Sequence, residues 1–534
     1  MPTLDWLTRD QDLTASSRVP YRLLEAVPEL SYGDPATENM LIQGDNLDAL
    51  KALLPFYAGR VKCIFIDPPY NTQKALENYD DNLEHSIWLS IIYPRLCLLR
   101  ELMTSDGFIC AQIDDSEGPY LKVLMDEIFG RKNFVATFFI RVRYAAKTLT
   151  QDMDYQKQIE QIHIYRKSSA AQPNLPVQDI GFDKFNFEIE VDSAPTKTLT
   201  LGGKLVEVYS KESWSLRKTG GSVDGLKEIW ASGSILDGNS SGRFFRDFLS
   251  GRIAEDGLGV LYKVENIGDD GLGFRYFSGP KKASATKGKY YQGVPLENRN
   301  GGEITKPIEN FYDLADRFGN CRLEGGVDFR SGKKPEVLLQ MLLTRFSDKK
   351  SLVLDSFLGS GTTAAVAHKM GRRFIGIELL DHAESRCAPR LRSVVDGEQG
   401  GISEAIGWAG GGGFRFLRLG APIFDEDGNI NPKISFVHLA AHIWFTETHT
   451  PLLKPRRNPK LGVHDGTAFY LLYNGVLRDR RPESGNVLTR AVLDALDPHH
   501  GPRTIYGESS RLAPATLKRL NITFKQTPYD VRAR

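Results

Sequence analysis

The stretch Ile64-Phe65-Ile66-Asp67-Pro68-Pro69-Tyr70-Asn71-Thr72 decides how this chain is read. An apolar run from Val61 to Ile66 reads as a fully buried strand. It stops at Asp67, and Pro68 and Pro69 then bar both helix and sheet, so the chain leaves the strand stiff and extended. Tyr70 follows at once. A carboxylate, a backbone carbonyl with no competing amide and an aromatic face therefore meet at the carboxyl end of a strand, where open α/β sheets bind ligands. A planar base could stack on Tyr70 while its exocyclic amine donates to Asp67 and to the Pro68 carbonyl. Asp-Pro-Pro also occurs as an ordinary turn, and the neighbouring segments decide between the two.

Upstream, Met40 to Asn46 reads as a short strand ending in Gly44-Asp45, followed by a helix with Leu47, Leu50, Leu53 and Leu54 on one face. This β-α-β order puts Asp45 at the end of a neighbouring strand, on the same rim as Asp67. Downstream comes a polar loop, Gln73 to Glu84. Ile87 to Met103 then reads as an apolar helix stopped by Asp106-Gly107, with Pro94 expected to kink or divide it. Phe108 to Ile113 is a further strand. Asp114-Asp115-Ser116 is expected to cap a helix running towards Phe129, a direct part in the site being the alternative. Phe134 to Val142 and Ile159 to Tyr165 read as two more strands.

The pattern resumes late in the chain. Lys334-Pro335 precedes an apolar helix, Val337 to Phe346, and Leu352 to Asp355 is a strand. The loop Ser356-Phe357-Leu358-Gly359-Ser360-Gly361-Thr362-Thr363 leads into a helix ending at Lys369, and strand Phe374 to Ile377 ends in Glu378. Gly359-x-Gly361-x-x-Ala364 after a strand fits a dinucleotide fingerprint, with Glu378 placed to accept from a ribose. An NAD-type oxidoreductase is therefore a rival reading. Asp355 separates the two, because a carboxylate at that strand's end repels the diphosphate that such a helix N-terminus would attract. It suits the cationic amino and sulfonium groups of S-adenosylmethionine. Glu378 then accepts from the ribose hydroxyls, and Asp45 from the adenine amine.

At 534 residues, three or four domains are expected. Hydrophobic content of 41% and charged content of 25% describe an ordinary globular protein. Met1 to Asp10 is polar and no run reaches membrane-spanning length, so a cytoplasmic protein without a membrane segment is expected, nucleoid-associated through DNA. The five cysteines lack metal spacing, and no metal site is expected. A net charge of +1 is not that of a globally basic DNA binder, so contact with nucleic acid must rest on local patches. Between about 170 and 310 periodicity weakens and β-like fragments alternate with polar loops. There Lys281, Lys282, Lys287 and Lys289 lie between Phe274-Arg275-Tyr276-Phe277 and Tyr290-Tyr291, a mixture suited to phosphate and base contact. A solvated glycine-rich loop is the alternative. Near 400 a linker is expected, with glycine at every position from 410 to 413, and from Ala468 to Lys525 the pattern reads β-α-β-α-β.

Taken together, these motifs resemble the amino-methyltransferases of DNA, and in particular the modification (Mod) subunits of type III restriction-modification systems. The matching stretches are Leu41 to Leu47, Ile66 to Thr72, Ile113 to Glu117, Asp355 to Thr363 and Phe524 to Asp530. The Asp-Pro-Pro-Tyr tetrapeptide precedes the cofactor loop with a divergent region between them, the order of the β group. The resemblance implies an α/β, Rossmann-like methyltransferase fold with an inserted, mostly β target-recognition domain and a C-terminal α/β unit. The segments are an arm over 1–38, the methyltransferase domain over 39–169 and 311–395, the target-recognition domain over 170–310, and a linker with the C-terminal unit over 396–534. It further implies transfer of a methyl group from S-adenosylmethionine to N6 of a flipped adenine in double-stranded DNA. Asp67, Pro68, Pro69 and Tyr70 would be catalytic, and Lys281, Lys282, Lys287 and Lys289 would bind DNA. The cofactor would be held by Asp45 and Asn46, by Lys334 and Pro335, by Asp355 and Phe357, by Gly359, Gly361, Thr362 and Thr363, and by Glu378. The implied partners are a second copy of the chain and an ATP-dependent restriction (Res) subunit. No Gly-x-x-x-x-Gly-Lys-Ser/Thr loop is present, so this chain alone is not expected to hydrolyse ATP. Cytosine-N4 transfer, a weakly active specificity subunit and the oxidoreductase remain as alternatives.

Overall fold

The computed structural model describes residues 3–71, 84–144, 155–231, 240–285, 287–328, 332–379, 381–425, 429–453, 456–527 and 529–531. Thr72, the loop expected from Gln73 onwards and Pro528 lie outside them. By internal contacts the chain forms two units, one of residues 1–174 with 309–534 and one of residues 175–308.

The first unit is built on one large sheet. Its strands are β1 (Arg22–Ala26), β2 (Met40–Gln43), β3 (Val61–Ile66), β4 (Met103–Ile113), β5 (Phe134–Arg141), β6 (Ile159–Arg166), β7 (Phe311–Asp313), β8 (Leu352–Asp355), β9 (Arg373–Glu378) and β10 (Gly413–Pro422). They lie in the order β1-β10-β2-β9-β8-β3-β4-β6-β5-β7, with the short strand Tyr32–Gly33 also pairing with β10. From β10 to β4 the neighbours are all parallel. Strands β2, β3, β8 and β9 are buried almost throughout, which is why they read as unbroken apolar runs rather than alternations.

Connectivity fixes the ligand crevice. From β3 the chain moves outward to β4 on one side, and from β8 to β9 on the other. The strand order therefore reverses between β8 and β3, and open α/β sheets bind ligands at the carboxyl ends of such a pair. Asp355 ends β8 and Asp67 follows β3. Asp45 follows β2 on the same rim, but β9 and β8 stand between β2 and β3, so it is not the immediate neighbour that the β-α-β reading expected. Two strands from far along the chain fill the gap.

Other expectations are corrected in detail. Helix His85–Leu102 runs unbroken through Pro94. Trp88, Leu89 and Ile92 before the proline and Leu96, Leu99 and Leu102 after it are all buried in one core, and that packing outweighs one lost backbone hydrogen bond. No loop follows this helix, since β4 starts at Met103, five residues before Phe108. Asp114 does not cap the next helix, Gly118–Met125. Its Oδ1 accepts from the Ser116 amide to close a turn ahead of it, and Asp114 and Asp115 both pair with Lys157.

The glycine run expected as a linker leads directly into β10, whose first residue is Gly413 and which pairs with β2 and β1 in the main sheet. A Cβ on Gly413 would stand 2.5 Å from the Asp34 amide nitrogen and 2.6 Å from the Tyr32 carbonyl oxygen. Close approach of backbones, not looseness, accounts for glycine at that position. Gly413→Ala is expected to cost about 2 kcal/mol of stability, read as a lower urea midpoint at unchanged slope. The first forty residues join the same unit through β1 and through Trp6, Tyr21 and Leu23 in the core. Helix Phe436–Thr448, which has no sharp signal in the sequence, packs there as well. Beyond it, strands Lys460–His464, Thr467–Leu471, Arg503–Gly507 and Ile522–Gln526 form a small sheet in chain order, the last three parallel and linked through helices Arg490–Ala495 and Pro514–Arg519.

The second unit has an antiparallel sheet of six strands: Lys197–Leu201, Lys204–Tyr209, Leu261–Glu265, Phe274–Ser278, Lys289–Gln292 and Lys227–Trp230, in that order. Val206, Val208, Tyr262, Val264 and Phe277 pack with Phe244, Phe245 and Leu249 to form its core. Among the described residues no helix is long and apolar enough to cross a membrane, and no group of three or more His, Cys, Asp or Glu is arranged to hold a metal ion.

Candidate active site

Asp67 leaves β3 into a cluster of polar side chains. Its Oδ2 lies 2.8 Å from Lys334 Nζ, while Oδ1 is buried and accepts no hydrogen bond among the described residues. Lys334 Nζ stands 5.0 Å from the centroid of the Tyr70 ring and 3.8 Å from Glu160 Oε2. Tyr70 donates its hydroxyl to that same Glu160 oxygen at 2.8 Å, and Gln112 Nε2 donates to it at 2.5 Å. The Pro69 carbonyl accepts from the Trp88 indole at 2.8 Å, which fixes the double proline against the helix that follows.

The charges in this cluster follow from burial and neighbours. Burial pushes the Asp67 carboxyl above its usual range, and Lys334 pulls it only partly back. Burial disfavours the charged Lys334, but Asp67 and Glu160 outweigh that and hold the ammonium above its ordinary pKa. Burial, with both carboxylates beside it, keeps the Tyr70 phenol far above its ordinary value and therefore neutral.

Across the crevice, Asp355 is 2% exposed, and burial pushes its carboxyl up to about 7. Its two oxygens accept from the Phe357 amide at 2.9 Å and the Thr363 hydroxyl at 2.6 Å, so it organises the glycine loop. Gly361 takes the left-handed conformation at φ +81° and opens helix Thr362–Lys369. Glu378 accepts from the Gly359 amide at 2.7 Å, which ties the end of β9 to the loop. Ser356 Oγ is buried and has no partner among the described residues. Asn46 donates to the Ser356 carbonyl at 2.7 Å, joining the turn after β2 to the same place. Asp45 caps the helix Asn46–Tyr57 through the Leu47 and Asp48 amides and pairs with Arg95 at 3.0 Å. It is a cap as well as a rim carboxylate.

Lys334, expected beside the cofactor, pairs its ammonium with Asp67. Two carboxylates converge there and draw it in. Pro335 stands at the start of helix Glu336–Phe346, and Glu336 reaches the other side. Fully buried, Glu336 pairs with Arg390 at 2.7 Å and Lys369 at 2.8 Å. Arg390 donates to Thr362 Oγ1 at 2.7 Å and to the Ser360 carbonyl at 3.2 Å, so a buried ionic network backs the glycine loop. In the second unit, Lys281, Lys282 and Lys287 are exposed in the turn before Lys289–Gln292. Lys289 differs from them, because it pairs with Glu228 at 2.6 Å and lies over the Trp230 ring.

Glu160, Gln112, Glu336 and Arg390 were not singled out from sequence. Only Glu160 carried a signal, as a carboxylate in phase with Ile162 and Ile164 along β6.

Comparison with known proteins places this geometry. A family model described as a DNA methylase matches residues 61–386, more than half of the chain. A Haemophilus influenzae protein, described as the probable Mod subunit of the type III restriction-modification enzyme HindVI, is 32% identical over 419 residues, covering 74% of this chain and 56% of that protein. The EcoPI Mod subunit of Escherichia phage P1 is 28% identical over 419 residues, covering 68% of this chain and 61% of that one. The chain thus spans less than two thirds of the length of these relatives. Among solved structures, PvuII DNA methyltransferase (cytosine-N4-specific) aligns over 70% of this chain and 91% of its own at 13% identity and a TM-score of 0.34, too low to carry an argument. The family match alone, spanning the double-proline loop, the second unit and the glycine loop, is sufficient: the chain belongs to the DNA methylase family.

Proposed function

We propose that this chain transfers a methyl group from S-adenosylmethionine to N6 of an adenine flipped out of duplex DNA, as the modification subunit of a type III-like restriction-modification system. The observation that carries the reading is the pair of carboxylates on either side of the strand reversal, half-buried Asp67 with Pro-Pro-Tyr and buried Asp355 with the glycine loop. The glycine loop fits the cofactor in its chemistry. Asp355 offers a counter-charge to an amino group, Glu378 a carboxylate to ribose hydroxyls, and the buried Ser356 hydroxyl is still unmatched. Gly359, Gly361, Thr362 and Thr363 shape that pocket, with Phe357 beside it and Asp45 and Asn46 on the rim. When bound, S-adenosylmethionine supplies an electrophilic methyl group on a sulfonium centre.

The chain's own residues prepare the nucleophile. The adenine amine is a poor one because its lone pair is delocalised into the ring. The free Oδ1 of Asp67 and the Pro68 carbonyl accept hydrogen bonds from its two N–H groups and localise the lone pair on nitrogen. Tyr70 offers a face to the base that has lost its stacking partners. As the nitrogen takes on positive charge, one of its protons passes to Asp67, whose raised pKa suits it to receive one. Long-read sequencing of DNA from cells making the protein tests this reading. Modified adenines at one recurring sequence are expected with the wild type and none with Asp67→Ala. Unmodified DNA in both would contradict it.

The second unit, residues 175–308, chooses the sequence in this reading, and its exposed lysines grip phosphate. Replacing Lys281, Lys282 and Lys287 with alanine should weaken binding alike for all duplexes and reduce the salt slope by about 0.9 per lysine. Lys289 should contribute least, because Glu228 already answers its charge. An unchanged affinity and slope in the triple variant would make this turn ordinary solvated surface.

As for partners, the reading carries self-association and a separate ATP-dependent restriction subunit, in the cytoplasm. A single-chain mass in light scattering at micromolar protein would contradict self-association.

A further inference from the structure

Glu160 sits behind Tyr70, and a single oxygen, Oε2, is its working atom. That atom accepts from the Tyr70 hydroxyl at 2.8 Å and from Gln112 Nε2 at 2.5 Å, with Lys334 Nζ 3.8 Å away. Gln112 is wholly buried, and the side chains of Glu160 and Lys334 are 16% and 8% exposed. Hydrogen bonds to an ionised acceptor in such a place are short and strong.

The mechanical consequence concerns the Tyr70 ring. Asp67 to Tyr70 belongs to no strand or helix, so the sheet does not itself orient the tyrosine. The base of the ring packs against the core, and the hydroxyl at its tip is tied to Glu160. Glu160 stands on β6 opposite Ile140 of β5, in a ladder whose register shifts only at its other end, between Phe134 and Ala136, and β6 pairs with β4 without a shift, so the tie runs to a rigid element. A ring held at both ends keeps its plane before any ligand arrives. The same carboxylate stands across Lys334 from Asp67 and helps to hold the ammonium between them.

We propose that Glu160 is a positioning residue for methyl transfer, fixing through the Tyr70 hydroxyl the ring face on which the flipped base stacks. The inference rests on the methyl-transfer reading above. Glu160 acts through Tyr70 and does not itself touch the reacting amine.

The test is a double-mutant cycle of Glu160→Ala with Tyr70→Phe, alongside Glu160→Gln, which keeps an acceptor oxygen. Single-turnover transfer is measured on a duplex carrying the sequence found by sequencing, and base capture on a second duplex in which fluorescent 2-aminopurine, which has no 6-amino group to methylate, replaces the target adenine. Glu160→Ala is expected to slow transfer tenfold or more at saturating cofactor, with cofactor Kd unchanged within twofold. Glu160→Gln should recover at least a third of the wild-type rate. Tyr70→Phe should lose capture to a similar degree, and in its background Glu160→Ala should add less than twofold. Losses that multiply, or a wild-type rate in Glu160→Ala, overturn the proposal. If Glu160→Ala does not fold, Tyr70→Phe remains decisive, since it removes one oxygen, and unchanged base capture there also overturns it. A wild-type chain that methylates no DNA refutes the methyl-transfer reading instead. The tie is then judged by urea midpoints, where strictly additive losses from Glu160→Ala and Tyr70→Phe overturn it.

Discussion

Asp67→Ala is expected to abolish methyl transfer while leaving cofactor affinity within about twofold. The variant removes the only charged acceptor proposed for the target amine, in a site where burial magnifies the loss. It also leaves Lys334 buried with Glu160 as its remaining carboxylate, 3.8 Å away. Losing a charged acceptor from such a site costs roughly 3 kcal/mol or more, which corresponds to a rate loss of at least about a hundredfold. Cofactor affinity should survive because the carboxylates proposed for the cofactor, Asp355 and Glu378, end other strands and are held by the glycine loop. Titration calorimetry with cofactor, beside transfer of a tritiated methyl group to duplex DNA, separates the two effects. A normal rate in Asp67→Ala would remove the mechanism altogether.

Asp355→Asn is expected to fail in the opposite way, with cofactor affinity falling by about a hundredfold and transfer lost as a consequence. Asparagine keeps the volume and an acceptor for the Phe357 amide, so the glycine loop should persist and the change should report charge. The same carboxylate sets a pH dependence. Burial holds its pKa at about 7, while an exposed aspartate ionises near 4. Between those values the unfolded chain ionises and the folded one does not, so this group lowers the stability of the ligand-free fold as pH rises. Cofactor binding has the opposite sign, because the bound form needs the anion. Its Kd should be flat above pH 7 and rise towards tenfold per unit below it. A Kd independent of pH between 5 and 8 would show that Asp355 is not the counter-charge.

The parts of the site legible in the sequence were those that end buried parallel strands. Cys63 to Ile66 and Leu352 to Leu354 are wholly apolar and give way at once to Asp67 and Asp355, which marks both the strand and its rim. The glycine loop was legible because only a left-handed residue serves at Gly361, immediately ahead of the helix. What stayed hidden depends on long-range pairing. Nothing near Asp45 tells that β8 and β9 come between its strand and β3, since both follow more than three hundred residues later in the chain. Glycine at 410 to 413 reads as a loose linker until the chain from 32 to 34 is laid against it. Lys334 sat next to a proline and a helix start, a position that says nothing of the carboxylates beside its ammonium. Glu160 and Gln112 meet only because β6 pairs antiparallel with β4 in one particular register.

The central claim is methyl transfer to the adenine amine, and its product is chemically distinct. Duplex DNA incubated with the purified chain and S-adenosylmethionine, digested to nucleosides and resolved by liquid chromatography with mass detection, gives the most direct answer. The account predicts N6-methyldeoxyadenosine with the wild type, and none with Asp67→Ala. N4-methyldeoxycytidine in its place, or no methylated nucleoside at all, would contradict it.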